Sequence, residues 1–181
     1  EHAGAWSELA LALARRARET ADPEYYARGD EALDRALELA PGDFVARRTR
    51  CWILLGRHEF AAALELARAL NKEAPDDVLV YGFVVDACVE LGLYDEAERA
   101  CQWMLDLRPG NVPGTTRAAY LRELFGDVPG ALELLTAAYH ATRASEVEAR
   151  AWTLAHVAHL LRSSGELELA RGVAQDALEL F

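Results

Sequence analysis

His156 and His159 stand three residues apart, so a helix carrying both puts their rings on one side, where they can reach one metal ion. Two imidazoles fall short of a metal site, and His140 and Glu146 are the candidates for a third ligand. The pair therefore reads as groove or packing histidines, and no metal is expected. Cys88 and Cys101 flank Gly92 and are expected to face each other across one hairpin, where a disulfide is geometrically conceivable. Buried thiols acting as small hydrophobes fit them better. The total of three cysteines is odd, which speaks against a disulfide framework and favours a reducing compartment such as the cytoplasm. The stretch Gly110-Asn111-Val112-Pro113-Gly114-Thr115-Thr116 has the glycines of a phosphate loop without its lysine, glycine spacing or preceding strand, and reads as a turn between repeats. Carboxylates abound, but none forms a spaced pair suited to acid/base work, and the chain has no nucleophile elbow or dinucleotide fingerprint. A non-catalytic protein without a cofactor is the expectation.

The elements that would position these residues follow from a period. Pro41, Pro75 and Pro109 stand at one fixed interval of about 34 residues, each after a helix-like run and before small or acidic residues. Such spacing marks stacked repeats. Ala and Leu dominate the apolar residues, so the elements are helices. Five helical hairpins result, over about 1–42, 43–76, 77–110, 111–145 and 146–181, forming one array. In the third, helices over Asp77–Leu91 and Glu96–Leu107 flank a turn at Gly92, and Pro109 ends the second. Ala97 marks a close helix crossing. In the fourth, Gly126 and Ala131 repeat this one period later, with helices over Thr115–Phe125 and Pro129–His140, and a loop near Thr142–Ser145 replaces the proline. The second turns at Gly56-Arg57-His58, and its second helix runs slightly long for the pattern. The fifth has helices over Glu146–Arg162 and from Leu167 onward. The first runs Ala3–Glu19, breaks at Ala21-Asp22-Pro23 and resumes to Ala40, with Tyr25 and Tyr26 packing that hairpin.

Composition narrows the function. The chain has 181 residues and a net charge of −11, which disfavours nucleic acid and anionic membranes as partners. Its longest apolar run, Val78–Val85, is too short to span a bilayer. Lys72 is its one lysine against 18 arginines, a hint of a GC-rich bacterial genome. A start at Glu1 and an end at Phe181, inside a helical pattern, read as a piece of a longer protein, so that a targeting signal can be missing from it.

The repeats resemble tetratricopeptide repeats. Tyr81, Val84, Gly92, Tyr94, Ala97 and Pro109 fall on that family's aromatic, Leu, Gly, Tyr, Ala and Pro positions. Gly126 and Ala131 in the fourth repeat match as well, as do Gly165, Ala170 and Ala177 in the fifth, and Ala36 and Pro41 in the first. Val45 and Thr115 depart from the aromatic position, and the first, second and fifth repeats have shifted lengths. The resemblance implies an all-α, right-handed solenoid whose first helices line a concave groove that takes a peptide or partner helix. The family's groove positions correspond here to Arg47, Arg50, Phe83, Asp86, Glu90, Arg117, Tyr120, Glu123, Trp152, His156 and His159. Arginines and aromatics are frequent anchors of binding surfaces. The carboxylate clamp of some family members is not expected, because Asp86 would repel the guest. The expected function is a protein-interaction scaffold. The alternatives are a regulatory or substrate-presenting arm of a larger enzyme, and self-association through the last helix, where Val173, Ala177, Leu178 and Phe181 have no following repeat to cover them.

Overall fold

The third residue of each proline triplet begins the next helix. Asp43 Oδ1 accepts from the amides of Val45 (2.9 Å) and Ala46 (3.3 Å), and Asp77 Oδ1 does the same for Leu79 (2.9 Å) and Val80 (3.2 Å). Asn111 Oδ1 accepts from Gly114 (2.7 Å). Each satisfies amides that a helix start leaves unpaired, worth about 0.5–2 kcal/mol per cap. The computed structural model describes residues 2–180. Those residues hold ten helices and no strand: α1 (Ala3–Thr20), α2 (Glu24–Leu39), α3 (Phe44–Gly56), α4 (Phe60–Glu73), α5 (Val78–Glu90), α6 (Tyr94–Leu107), α7 (Val112–Leu124), α8 (Val128–Ala141), α9 (Val147–Ser163) and α10 (Leu167–Leu180).

From α3 to α8 the helix starts recur on one strict grid, at 44, 78 and 112 for the first helices and 60, 94 and 128 for the second. This corrects two readings. The second repeat is not lengthened, because its turn is made by His58 rather than Gly56. His58 takes the left-handed backbone at φ 62°, the place held by Gly92 (73°) and Gly126 (83°) in the next two repeats. Gly56 is instead the last residue of α3, where the Tyr26 ring lies so close that an added Cβ would stand 2.3 Å from it. Nor is Gly110–Thr116 all turn. Pro113 sits in the first turn of α7, where its missing N–H costs nothing, so α7 starts at Val112 rather than Thr115. The fifth repeat does depart from the grid, with 17 residues in α9 against 13 in α3, α5 and α7.

The chain divides into two compact units, residues 1–97 and 98–181, and the division falls inside α6. In the first, α1 packs on α2, α3 on α4, and α3 also touches α1, α2 and α5, while α4 packs on α5. Ala10, Ala14, Ala32, Leu33, Ala36, Ala46 and Ile53 form a buried cluster there, flanked by Trp6, Tyr26, Leu37 and Trp52. The alanines let helix axes approach closely, and the larger side chains fill the gaps between them. Neighbouring hairpins are also tied through their caps. Ser7 Oγ donates to Asp43 Oδ2 (3.1 Å), and Arg48 Nη1 donates to Asp77 Oδ2 (2.8 Å). In the second unit α7 packs on α8, α8 on α9 and α9 on α10. Its core joins Ala119, Ala131, Leu135 and Leu160, with Val128, Leu132, Leu134 and Val157 around them. After α8, Thr142 Oγ1 donates to the Ala138 carbonyl (2.7 Å), closing the helix without a proline.

No helix of the described residues is long and apolar enough to cross a membrane. All three cysteines are buried. Burial pushes the Cys51 thiol up to about 12, with the Asp86 charge adding to the shift. Cys51 Sγ lies 3.3 Å from the Ala63 carbonyl, and Cys101 Sγ 3.6 Å from that of Gly114.

Candidate functional site

Each unit carries some of the expected binding face, and the two portions differ in character. In the first unit the residues come from α3 (Arg47, Arg50) and α5 (Phe83, Asp86, Glu90). Both arginines are engaged within the fold. Arg47 grips Glu73 at the end of α4 with two 2.6 Å hydrogen bonds, one to each carboxylate oxygen. That pairing raises the Arg47 pKa and lowers that of Glu73, through the hydrogen bonds first and the charges second. Arg50 donates to Asp34 (2.5 Å) and lies 3.7 Å from Asp30, which also takes a 2.6 Å bond from Arg57. These bonds join α3 to α2 and α4. Phe83 and Asp86 are half-buried and Glu90 is exposed.

In the second unit the expected residues come together. Glu123, near the end of α7, reaches α9. Its Oε2 lies 2.6 Å from His156 Nε2, and its Oε1 lies 3.2 Å from His159 Nε2. An ionised carboxylate can only accept, so His156 donates in the shorter contact. Trp152, His156 and His159 share one face of α9 at helical spacing, and their rings meet in sequence. Trp152 and His156 have centroids 5.2 Å apart, and His156 and His159 6.0 Å apart. Tyr120, one turn before Glu123 on α7, meets His156 edge-on at 6.0 Å. Trp152 and Tyr120 keep 45% and 36% of their surface exposed, whereas the Glu123 and His156 side chains keep only 19% and 16%. A polar, hydrogen-bonded floor thus carries two exposed aromatic rings. Arg117, one turn earlier on α7, donates to the Pro113 carbonyl (3.0 Å).

The partner of the histidine pair differs from the two candidates read from the sequence. His140 stacks edge-on against Tyr139, and Glu146 accepts from the amide of Arg143. Glu123 takes their place, from 33 residues upstream of His156. The two imidazoles approach different oxygens of it, and among the described residues no group of three or more His, Cys, Asp or Glu side chains is arranged to hold a metal ion. A second contact had no signal in the sequence. Arg150 lies over the Tyr139 ring at 4.3 Å and donates to its hydroxyl (2.6 Å), joining α9 to α8.

On α10, Leu167, Leu169 and Leu178 are 62%, 60% and 77% exposed. Ala177 is buried rather than uncovered, because it lies on the side that packs against α9, and Val173 is half-buried. Phe181, read as part of that face, lies outside the described residues.

No protein-family model matches the chain, and no curated protein matches it in sequence. Solved structures do. TTC0263, a thermophilic TPR protein of Thermus thermophilus, superposes with a TM-score of 0.80 at 20% identity, over 96% of this chain and 91% of its own. MamA from Desulfovibrio magneticus RS-1 gives 0.58 at 11% identity, over 97% and 94%. A chain of the APC/C hetero-tetramer Cut9–Hcn1 gives 0.69 at 15% identity, with 86% of this chain covering 29% of that one. Together with the helix grid and the ten helices, the likeness to TTC0263 establishes an all-α fold of tetratricopeptide-repeat type.

Proposed function

We propose that the chain is a non-catalytic protein-interaction scaffold that holds an extended segment of a partner protein against the first helices of its hairpins. The observation that carries this reading is the face of the second unit where Tyr120 and Glu123 of α7 meet Trp152, His156 and His159 of α9. Exposed aromatics over a fixed polar base have the make-up of a binding hot spot. Their rings are held by neighbours, so little freedom is lost when a guest arrives. One solved structure of similar fold, the hetero-tetramer of Cut9 and Hcn1, is a protein assembly, which agrees with this role.

The test is a selection of peptides from a random twelve-residue library on the full chain, followed by binding measurements with Tyr120→Ala and Trp152→Ala combined. Both side chains are partly solvent-exposed, so helicity and melting temperature stay close to those of the parent chain. Affinity for the selected peptides falls about thirtyfold or more, the size expected when hot-spot aromatics are truncated. Unchanged affinity in the folded double variant would remove the face from the binding site.

A further inference from the structure

We propose that the Tyr120–Glu123–Trp152–His156–His159 cluster recognises an arginine side chain of the bound segment. This rests on the peptide-binding reading above and names the chemistry the face selects.

The surface that remains for a guest is electron-rich. Glu123 sets a carboxylate at the base of the cluster, with Oε2 2.6 Å from His156 Nε2 and Oε1 3.2 Å from His159 Nε2. Beside this carboxylate, itself an acceptor, stand the exposed rings of Trp152 and Tyr120, whose faces carry the negative lobe of the aromatic quadrupole. Acceptors next to ring faces fit a flat cation with several N–H groups, which stacks and donates at once. Guanidinium is that group, whereas a lysine ammonium is a compact, strongly hydrated point charge that stacks poorly.

Charge argues the same way. The chain carries −11, and a carboxylate guest would meet Glu123 at the base of the cluster. The arginines of α7 and the first half of α9 are engaged within the fold. Arg117 Nη1 donates to the Pro113 carbonyl, Arg122 pairs with Asp127 at 2.7 Å, and Arg150 donates to the Tyr139 hydroxyl.

The experiment follows the indole N–H signal of Trp152 in the ¹⁵N-labelled full chain, assigned with Trp152→Phe, during titration with N-acetyl-arginine amide. The expected result is a saturable shift, with little response to N-acetyl-leucine amide or N-acetyl-glutamate amide and a weaker one to the lysine analogue. Glu123→Gln weakens the arginine response about tenfold. If that variant fails to fold, His159→Phe, at the more exposed imidazole, tests the same base. EDTA changes nothing. Equal shifts for all four amides, no shift, or a response that requires added Zn²⁺ would overturn the proposal. If arginine fails while the selected peptides still depend on Tyr120 and Trp152, arginine recognition falls and the peptide-binding face stands. If those peptides are indifferent to both residues as well, both readings fall.

Discussion

Cys51 shows how far the environment of one side chain is from anything its neighbours in sequence declare. It is fully buried on α3, and its thiol is pushed up to about 12 by desolvation, with the Asp86 charge adding to it. At pH 8 roughly one such thiol in ten thousand is ionised in the folded state, so alkylation by iodoacetamide reports opening rather than native reactivity. The linkage sign follows from the same shift. The unfolded thiol ionises near its ordinary 9.0, while the folded one keeps its proton until about 12. Folded chain therefore binds more protons in between, and stability falls as pH rises from 9 towards 12. Urea unfolding at pH 8 and pH 10.5 checks this, and Cys51→Ala should lose some of that decline. The residues of the proposed face were named one at a time, from the groove positions that the resemblance implies. Tyr120, Glu123, Trp152, His156 and His159 each stand at a position that the repeat pattern assigns to a first-helix face. Their joining was not legible, because the Glu123–His156 bond spans 33 residues and depends on how two hairpins stack. The ion pairs of Arg47 and Arg50 were not legible either. Nearby acids on α2 and α4 bind both side chains.

At the scale of the element, the grid explains which small residues are indispensable. Ala63, Ala97 and Ala131 recur once per period and are each fully buried, and Gly29 precedes them at the same spacing, where an added Cβ would meet Ile53 at 2.8 Å. A larger side chain there must force neighbouring helices apart. Ala131→Leu, in the cluster with Ala119, Leu135 and Leu160, should cost about 1–3 kcal/mol in urea unfolding. The same change at the exposed Ala141 should have little effect. Helix ends were legible to within a few residues wherever a proline, a capping Asp or a turn glycine marked them. They misled where a glycine served packing, as at Gly56 under Tyr26, or where a proline opened a helix, as at Pro113. The turn in the second repeat was harder to place because His58, not glycine, carries the positive φ.

For the whole molecule, the all-α repeat architecture was legible because it rests on a period, and a period survives local errors. Three prolines at one spacing, with Asp or Asn two places after each, already fix where first helices begin. The fold leaves the partner open, since an array of helical hairpins presents whatever its outer residues offer. That a guest lies on the first helices is tested most directly by cross-saturation from a selected, protonated peptide to the deuterated, ¹⁵N-labelled full chain. In the second unit, saturation should reach amides of α7 and α9 and the Trp152 indole, while α8 and α10 stay unaffected. Transfer to α8 and α10, with α7 and α9 silent, would contradict it.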